Sequence, residues 1–387
     1  MQTLARTYPV QGADTSNASR LISLIGHSAC PLNIEQHLDF SHAAPDIREL
    51  FEATESQDAQ SGLDWYANLV ATTSSKSDEA LMLVLRGQGR TIAALPVRRT
   101  KRAWGTDVAS LANFYTSRYL PPLAAEVSVS DMAELFRAVR SSRPRPRSIT
   151  LAPLDHDSRE FEVLCGALRR AGLVTFDYFC FGNWYLPVTM SGEQYLESRP
   201  GEVRSTLRRM SKRFESEGGR MEILQSPADV ERAITAYTQV YAVSWKQPEP
   251  YPDFVPGLIR LCAARGWLRL GVAWMGDQAI AAQLWIVANE HASIFKLAYR
   301  PEFARLSPGT LLTATLMKHV IDIDHVKEVD YLTGDDAYKR SWMTHRRERW
   351  GLVAYDPLCI GGAWSLAREL VGRAVKPIVE RFRRPPA

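Results

Sequence analysis

The sequence predicts an α/β (α+β) fold of two tandem domains with mixed, mostly antiparallel sheets, and three observations carry that prediction. At 387 residues the chain exceeds the usual size of a single domain. Between Trp267 and Leu332, apolar and aromatic-rich runs of strand length are separated by short turns and interrupted once by a segment of helical period. A similar order of hairpin, strand, helix and strand recurs on a coarser reading between residues 80 and 188.

Taken in order, residues 1–20 are polar and aperiodic, which predicts a loose tail. A helix is expected over 46–56, and Trp65 with Tyr66 anchors a second short helical segment. After the polar linker 72–79, the runs 80–87 and 90–99 flank Gln88-Gly89 and read as a hairpin. Residues 110–123 read as a strand ended by Pro121-Pro122. Met132, Leu135, Phe136 and Val139 share a face, so 131–142 is a helix. A strand over 148–154, a helix over 158–172 stopped by Gly172, and a long aromatic strand or strand pair over 173–188 complete the first domain.

The second domain opens on a basic helix delimited by Pro200 and Gly218-Gly219. A strand at 221–225 and two helices lead to the runs 267–274, 278–288 and 291–299. The turn pairs Gly276-Asp277 and Asn289-Glu290 make these an antiparallel meander. Ser307-Pro308-Gly309-Thr310 then starts a helix with Leu312, Leu316, Val320 and Ile323 on one face, and strands follow at 326–332 and 348–356. The divisions expected are a tail and lead-in over 1–44, domains over 45–183 and 184–358, and a basic helix with tail over 359–387. In that last segment Arg368, Arg373, Lys376, Arg381, Arg383 and Arg384 surround an apolar stripe that Pro377 should kink. The expectation is a helix capping the second domain; peripheral contact with an anionic membrane surface is the other reading.

Composition narrows the function. At 45% hydrophobic and 23% charged, the chain is ordinary for a globular protein. No apolar run is long enough to span a bilayer, and 21–26 is too short and poorly flanked for a secretory signal. Five scattered cysteines without C-x-x-C spacing fit reduced thiols in a cytoplasmic protein, and no metal-ligand spacing is present. Residues 1–80 hold four Lys/Arg against eleven Asp/Glu, so the remainder must carry +11 to reach the overall +4. Such a surplus attracts anionic ligands such as coenzyme A, an acyl-carrier protein or a phosphorylated sugar.

Four clusters have chemistry to offer. A helix N-terminus such as that after Ser307 presents unpaired amides to an anion, although Pro308 removes one of them. Asp330, Asp335, Asp336, Tyr338 and Lys339 supply carboxylates, a phenol and a cation within ten residues, the groups needed to move protons during acyl transfer. Asp335 is the preferred base because Gly334 lets the chain bend at the end of a strand, and Asp336 serves equally as a helix N-cap. Arg204 and Arg208 lie one turn apart on the basic helix, a spacing that suits an acidic acceptor and equally a solvated face. Trp245 and Lys246, in the proline-rich segment between two helices, would roof an acceptor pocket. Nucleic acid is not expected, since stacking aromatics are missing from the basic helix.

The order of strands, Pro-Gly helix and returning strand resembles the core of the GCN5-related N-acyltransferases. With FARLSPGTLL and VDYLTGDDAYKRSW, it is similar more specifically to the BioF2-like acetyltransferases of CelD type. These are relatives of the FemABX peptidyltransferases, which carry two acyltransferase-like domains in tandem. The resemblance is best over 184–357 and weaker over 60–182. It implies an acyl-CoA co-substrate, acetyl-CoA above all, no metal, and an amine acceptor. It also implies Tyr338 as acid, Lys339 as the lysine of a Tyr-Lys pair, and a donor-phosphate loop formed by Arg305, Ser307, Gly309 and Thr310. This loop departs from the common Q/R-x-x-G-x-G/A pattern by Pro308 and Thr310, so a coenzyme A thioester, a carrier-protein thioester and an aminoacyl-tRNA all stay open as donors. An aminoacyl transfer of FemABX type and a non-catalytic module of polysaccharide biosynthesis are the alternatives.

Overall fold

Among the described residues, thirteen strands form one sheet in which the closing strand of each half is shared with the other half. The computed structural model describes residues 19–22, 32–75 and 77–383, so the tail expected over 1–20 lies outside the described residues up to residue 18. The first half runs β1 (Ser19–Ile22), β2 (Asn33–His37), α1 (Pro45–Glu55), α2 (Leu63–Thr73), β3 (Asp78–Gly87), β4 (Arg90–Arg102), β5 (Gly105–Ser110), α3 (Val129–Ser141), β6 (Pro146–Asp155), α4 (Arg159–Arg170) and β7 (Val174–Pro187). The second runs α5 (Gly192–Glu197), α6 (Gly201–Ser216), β8 (Gly219–Leu224), α7 (Val230–Ala242), α8 (Phe254–Ala264), β9 (Leu268–Met275), β10 (Gln278–Ala288), β11 (His291–Tyr299), α9 (Pro308–Asp322), β12 (Glu328–Asp330), α10 (Ala337–Trp342) and β13 (His345–Tyr355), and α11 (Ile360–Arg383) follows.

The order across the sheet is β1-β2-β3-β4-β5-β6-β13-β7-β12-β11-β10-β9-β8. All pairs are antiparallel except β5 with β6 and β11 with β12, which occupy equivalent places in the two halves. Each half therefore repeats one plan: a strand, two helices, a three-stranded meander, a crossover helix and a parallel fifth strand. β13 inserts between β6 and β7, matching Tyr355 with Ser148 on one side and with Val174 on the other. β7 in turn gives its last residues, Tyr185 to Pro187, to β12. The expected boundary between residues 183 and 184 thus falls inside a strand, and it does not separate two independently closed sheets.

One stretch departs from its expected structure. Residues 110–123 are a loop, not a strand; the strand is the shorter β5 just before them. Asn113 starts a side-chain turn by accepting from the Tyr115 amide at 2.9 Å, a local alternative to sheet pairing. The loop throws Tyr115 across to the second half, where its ring stacks on Phe254 with centroids 4.0 Å apart.

Burial explains why the halves stay together. The helices α1, α2, α7 and α8 share one continuous core on one face of the sheet, around Trp65, Tyr66, Phe254 and Leu258. On the other face α3 and α4 cover the first half, and α5, α6 and α9 cover the second. Gly271 lets α9 approach β9, because a Cβ there would meet Leu316 at 2.8 Å. The last helix, α11, lies against β6 of the first half and against β13 inserted beside it, and it runs on through Pro377. Trp364, Leu370 and Val371 of that helix stay exposed.

Charge sets the register at the seam. Asn183, 1% exposed, donates to the Asp330 carboxylate at 2.5 Å and to the Leu332 carbonyl at 2.8 Å. Its own oxygen accepts from Arg347 Nε at 2.6 Å. The Arg347 guanidinium also binds Glu328 at 2.7 Å and Asp330 at 2.5 Å, tying β13 to β12 across β7. Burial works against the Arg347 charge, and the two carboxylates outweigh it, raising its pKa. Replacing Arg347 with Met leaves both carboxylates without their cation, and we expect a loss of about 3–5 kcal/mol in unfolding free energy by urea titration.

Candidate functional site

β11 and β12 part. Their parallel pairing ends at Ser293 opposite Asp330, while β11 runs on for six residues to Tyr299. A cavity of about 220 Å³ opens where β12 has stopped. Its walls are Ile294 to Leu297 of β11, Tyr331 to Thr333 and Lys339 beyond β12, Lys246 from the segment between α7 and α8, and Phe114 with Tyr115 from the first half. Among the described residues, this places side chains of both halves around one space at a break in sheet pairing.

Tyr338 stands beside it on α10. Asp336 N-caps that short helix, its carboxylate accepting from the Lys339 amide at 3.1 Å, so the capping role holds for Asp336. Gly334 permits the preceding turn with φ +118°, a region L residues rarely enter. The Tyr338 ring is 39% exposed, but its hydroxyl turns inward and lies 3.3 Å from Thr313 Oγ1 in α9. Burial pushes the phenol above its ordinary pKa and keeps it protonated.

A buried polar chain stands behind this hydroxyl. Trp285 Nε1 donates to Gln283 Oε1 at 3.0 Å, and Gln283 Nε2 donates to Thr313 Oγ1 at 2.8 Å and to the Gly309 carbonyl at 2.9 Å. Thr313 donates to the same carbonyl at 2.9 Å. Thr313 Oγ1 accepts from Gln283 and donates to the Gly309 carbonyl, which leaves it a lone pair for the Tyr338 O–H. Gln283, Trp285 and Thr313 are all fully buried.

The first turn of α9 adjoins this chain. Ser307 precedes it in the left-handed region (φ 51°, ψ 43°) and makes no side-chain cap. The amides of Gly309 and Thr310 belong to the first turn, which has no intrahelical acceptors. A Cβ at Gly309 would meet Tyr299 only at ordinary contact distance, so this glycine answers to no steric need.

Three of the expected groups are brought together and four are not. Lys339 and Lys246 line the cavity, and Tyr338 stands next to it, its ring 6.2 Å from that of the lining Tyr331. Lys339 Nζ donates to the carbonyls of Tyr331, at 3.2 Å, and Thr333. Trp245 lies at the rim, its ring 4.3 Å from that of Tyr299. Asp335 does not line the cavity, a correction to its expected role as base. It binds Arg346 at 2.8 Å and Trp184 Nε1 at 2.6 Å, and these hold its carboxyl below the ordinary range. Arg305 is likewise turned away, its guanidinium forked onto Glu217 at 2.7 and 2.9 Å. Arg204 and Arg208 are exposed on α6, which packs with α9 on the sheet face opposite α7 and α8, so neither reaches the acceptor space.

Lys296 and Glu249 escaped the sequence reading. The Glu249 carboxylate takes Lys296 Nζ at 2.7 Å, Tyr115 O–H at 2.6 Å and Tyr237 O–H at 3.1 Å. Burial would raise its pKa, but Lys296 and Tyr115 outweigh burial and lower it. A signal existed for each: Lys296 is the only charge inside the strand 291–299, Glu249 lies between two prolines, and Gln283 is the one polar residue amid an apolar strand.

Residues 201–340 match the family described as an acetyltransferase (GNAT) domain. No curated protein matches. The structure is similar to the crystal structure of FemX, with 11% identity over 81% of this chain and 96% of that chain and a TM-score of 0.56. It is also similar to L-PGS from Bacillus licheniformis (14% identity, 84% and 96% covered, TM-score 0.49). A third likeness is to a tandem GNAT protein from the clavulanic acid biosynthesis pathway (11% identity, 83% and 98% covered, TM-score 0.45). At these identities the likeness is one of fold. Among the described residues, no helix is long and apolar enough to cross a membrane.

Proposed function

With residues 201–340 forming a GNAT acetyltransferase domain in a FemX-like tandem fold, we propose that this chain is an acyl-CoA-dependent N-acyltransferase. The acyl group, acetyl in the first instance, passes directly to an amine on a small, sugar-like or peptide acceptor. The observation that carries this reading is the parting of β11 from β12, with the Tyr338 hydroxyl held at the α9 side of the opening. A thioester laid along the gap would leave its phosphates at the Gly309 and Thr310 amides, where the helix dipole favours anions.

The steps follow from the groups in place. The acceptor amine attacks the thioester carbonyl and forms the C–N bond, and the Lys339 ammonium faces the developing oxyanion. The C–S bond then breaks, the sulfur takes the proton of Tyr338 as it leaves, and the phenolate regains a proton from water. No carboxylate lines the cavity among the described residues, so the amine's own proton departs to water. Holding both reactants side by side supplies much of the acceleration, and no covalent enzyme intermediate is needed.

The fold likeness to FemX supports a second reading, aminoacyl transfer from a charged tRNA to a cell-envelope precursor. Calorimetric titration separates the two. Coenzyme A binding at about micromolar Kd, near −8 kcal/mol, is the expected result. No binding of coenzyme A, with turnover that requires charged tRNA, would replace the first reading by the second.

A further inference from the structure

We propose that the acceptor carries, besides its amine, an anionic group (a carboxylate or a phosphate monoester) that seats between Lys246 and Lys296. The inference rests on the acyl-transfer reading for which reactant enters the cavity. Three lysines line that space, Lys246, Lys296 and Lys339, and no Asp or Glu does so among the described residues. The nearest carboxylate, Glu249, is already shared between Lys296 and two tyrosine hydroxyls, so it cannot neutralise a second ammonium. The Lys339 ammonium gives two of its three N–H donors to backbone carbonyls, and the third is assigned to the oxyanion. Lys246 is different: its ammonium has no hydrogen-bond or ion-pair partner among the described residues, and the Trp245 ring centroid is 5.9 Å away.

Like charges gathered in a half-enclosed space repel each other and lose hydration. Burial, and then the neighbouring Lys296, hold Lys246 below the ordinary lysine range. A bound anion relieves both costs at once. The donor's phosphates are poor claimants, because none of the residues from Ser307 to Thr310 lines the cavity. Phe114 and Tyr115 close the same space from the first half, which gives the acceptor's body an aromatic wall and makes the cavity a joint product of the two halves.

Succinate and inorganic phosphate serve as probes in calorimetric titrations of the full chain. One of them should bind, with affinity falling about tenfold or more in Lys246→Gln and staying within about threefold of the parent in Lys246→Arg, as expected for a charge-assisted contact. Which probe responds distinguishes a carboxylate from a phosphate ester. Lys296→Met should weaken the same probe. If its thermal melt is no longer cooperative, Lys246→Gln, at a half-buried position, carries the test. Equal binding to the parent and Lys246→Gln, or no binding of either probe, overturns the proposal. So does displacement of the probe by coenzyme A, which would assign the lysines to the donor. Coenzyme A affinity is measured separately in each variant. Its absence alongside lysine-dependent probe binding removes the acyl-CoA reading and leaves the anion seat standing.

Discussion

Tyr338→Phe is expected to lower kcat by about 10²–10⁴ while coenzyme A binding persists, the loss typical of a removed general acid. The substitution deletes one oxygen and keeps the ring contacts with Tyr331 and Trp342, whose centroids lie 6.2 and 6.3 Å away. Because burial raises the phenol's pKa, the group holds its proton through the neutral range and stays in the acid form until the C–S bond breaks. Its hydroxyl lies 3.3 Å from Thr313 Oγ1 in the resting chain, which holds the phenol at the α9 side of the opening. Steady-state rates and a coenzyme A titration on the same preparation decide the matter. An unchanged kcat would take Tyr338 out of the mechanism, whatever the donor proves to be.

Ending the chain after Met343 is expected to abolish cooperative unfolding of the whole molecule, including the first half. β13 pairs with β7 along its entire length and with β6 from Arg349 to Tyr355. Removing it uncovers two inner strand edges and takes Leu352 and Ala354, both fully buried, out of the core. It also deletes Arg347, which binds Glu328 and Asp330. If the domains were independent, residues 45–183 would keep a sharp thermal transition; with the strand exchange, that half lacks its central strand. Circular dichroism melts of the shortened chain provide the check, and a single sharp transition near that of the full chain would contradict the shared-strand architecture.

Local pattern made much of this molecule legible. The meander at 268–299 and the helix from Pro308 lie within a residue or two of where apolar periodicity and turn pairs put them. Tyr338, Lys339 and Lys246 drew notice as a phenol and cations near a strand end or just ahead of a proline-rich run. Asp335 misled because its neighbours in sequence said nothing of Arg346, which β13 brings alongside it. Arg204 and Arg208 misled for a related reason: helical spacing shows which side chains share a face and not which way that face looks. Lys296 and Gln283 were each visible as a lone polar residue in an apolar strand, but their partners Glu249 and Thr313 lie 47 and 30 residues away.

What the sequence determined by itself was the list of elements and their chemistry, since period, turn residues and caps act over a few residues. Only the tertiary structure decided which strands are neighbours and therefore where the sheet opens. The insertion of β13 between β6 and β7 joins segments more than a hundred residues apart, and β12 ends early between the longer β11 and the tail of β7. Those long-range pairings, rather than any single motif, bring Tyr115, Lys246, Lys296 and Lys339 to one cavity.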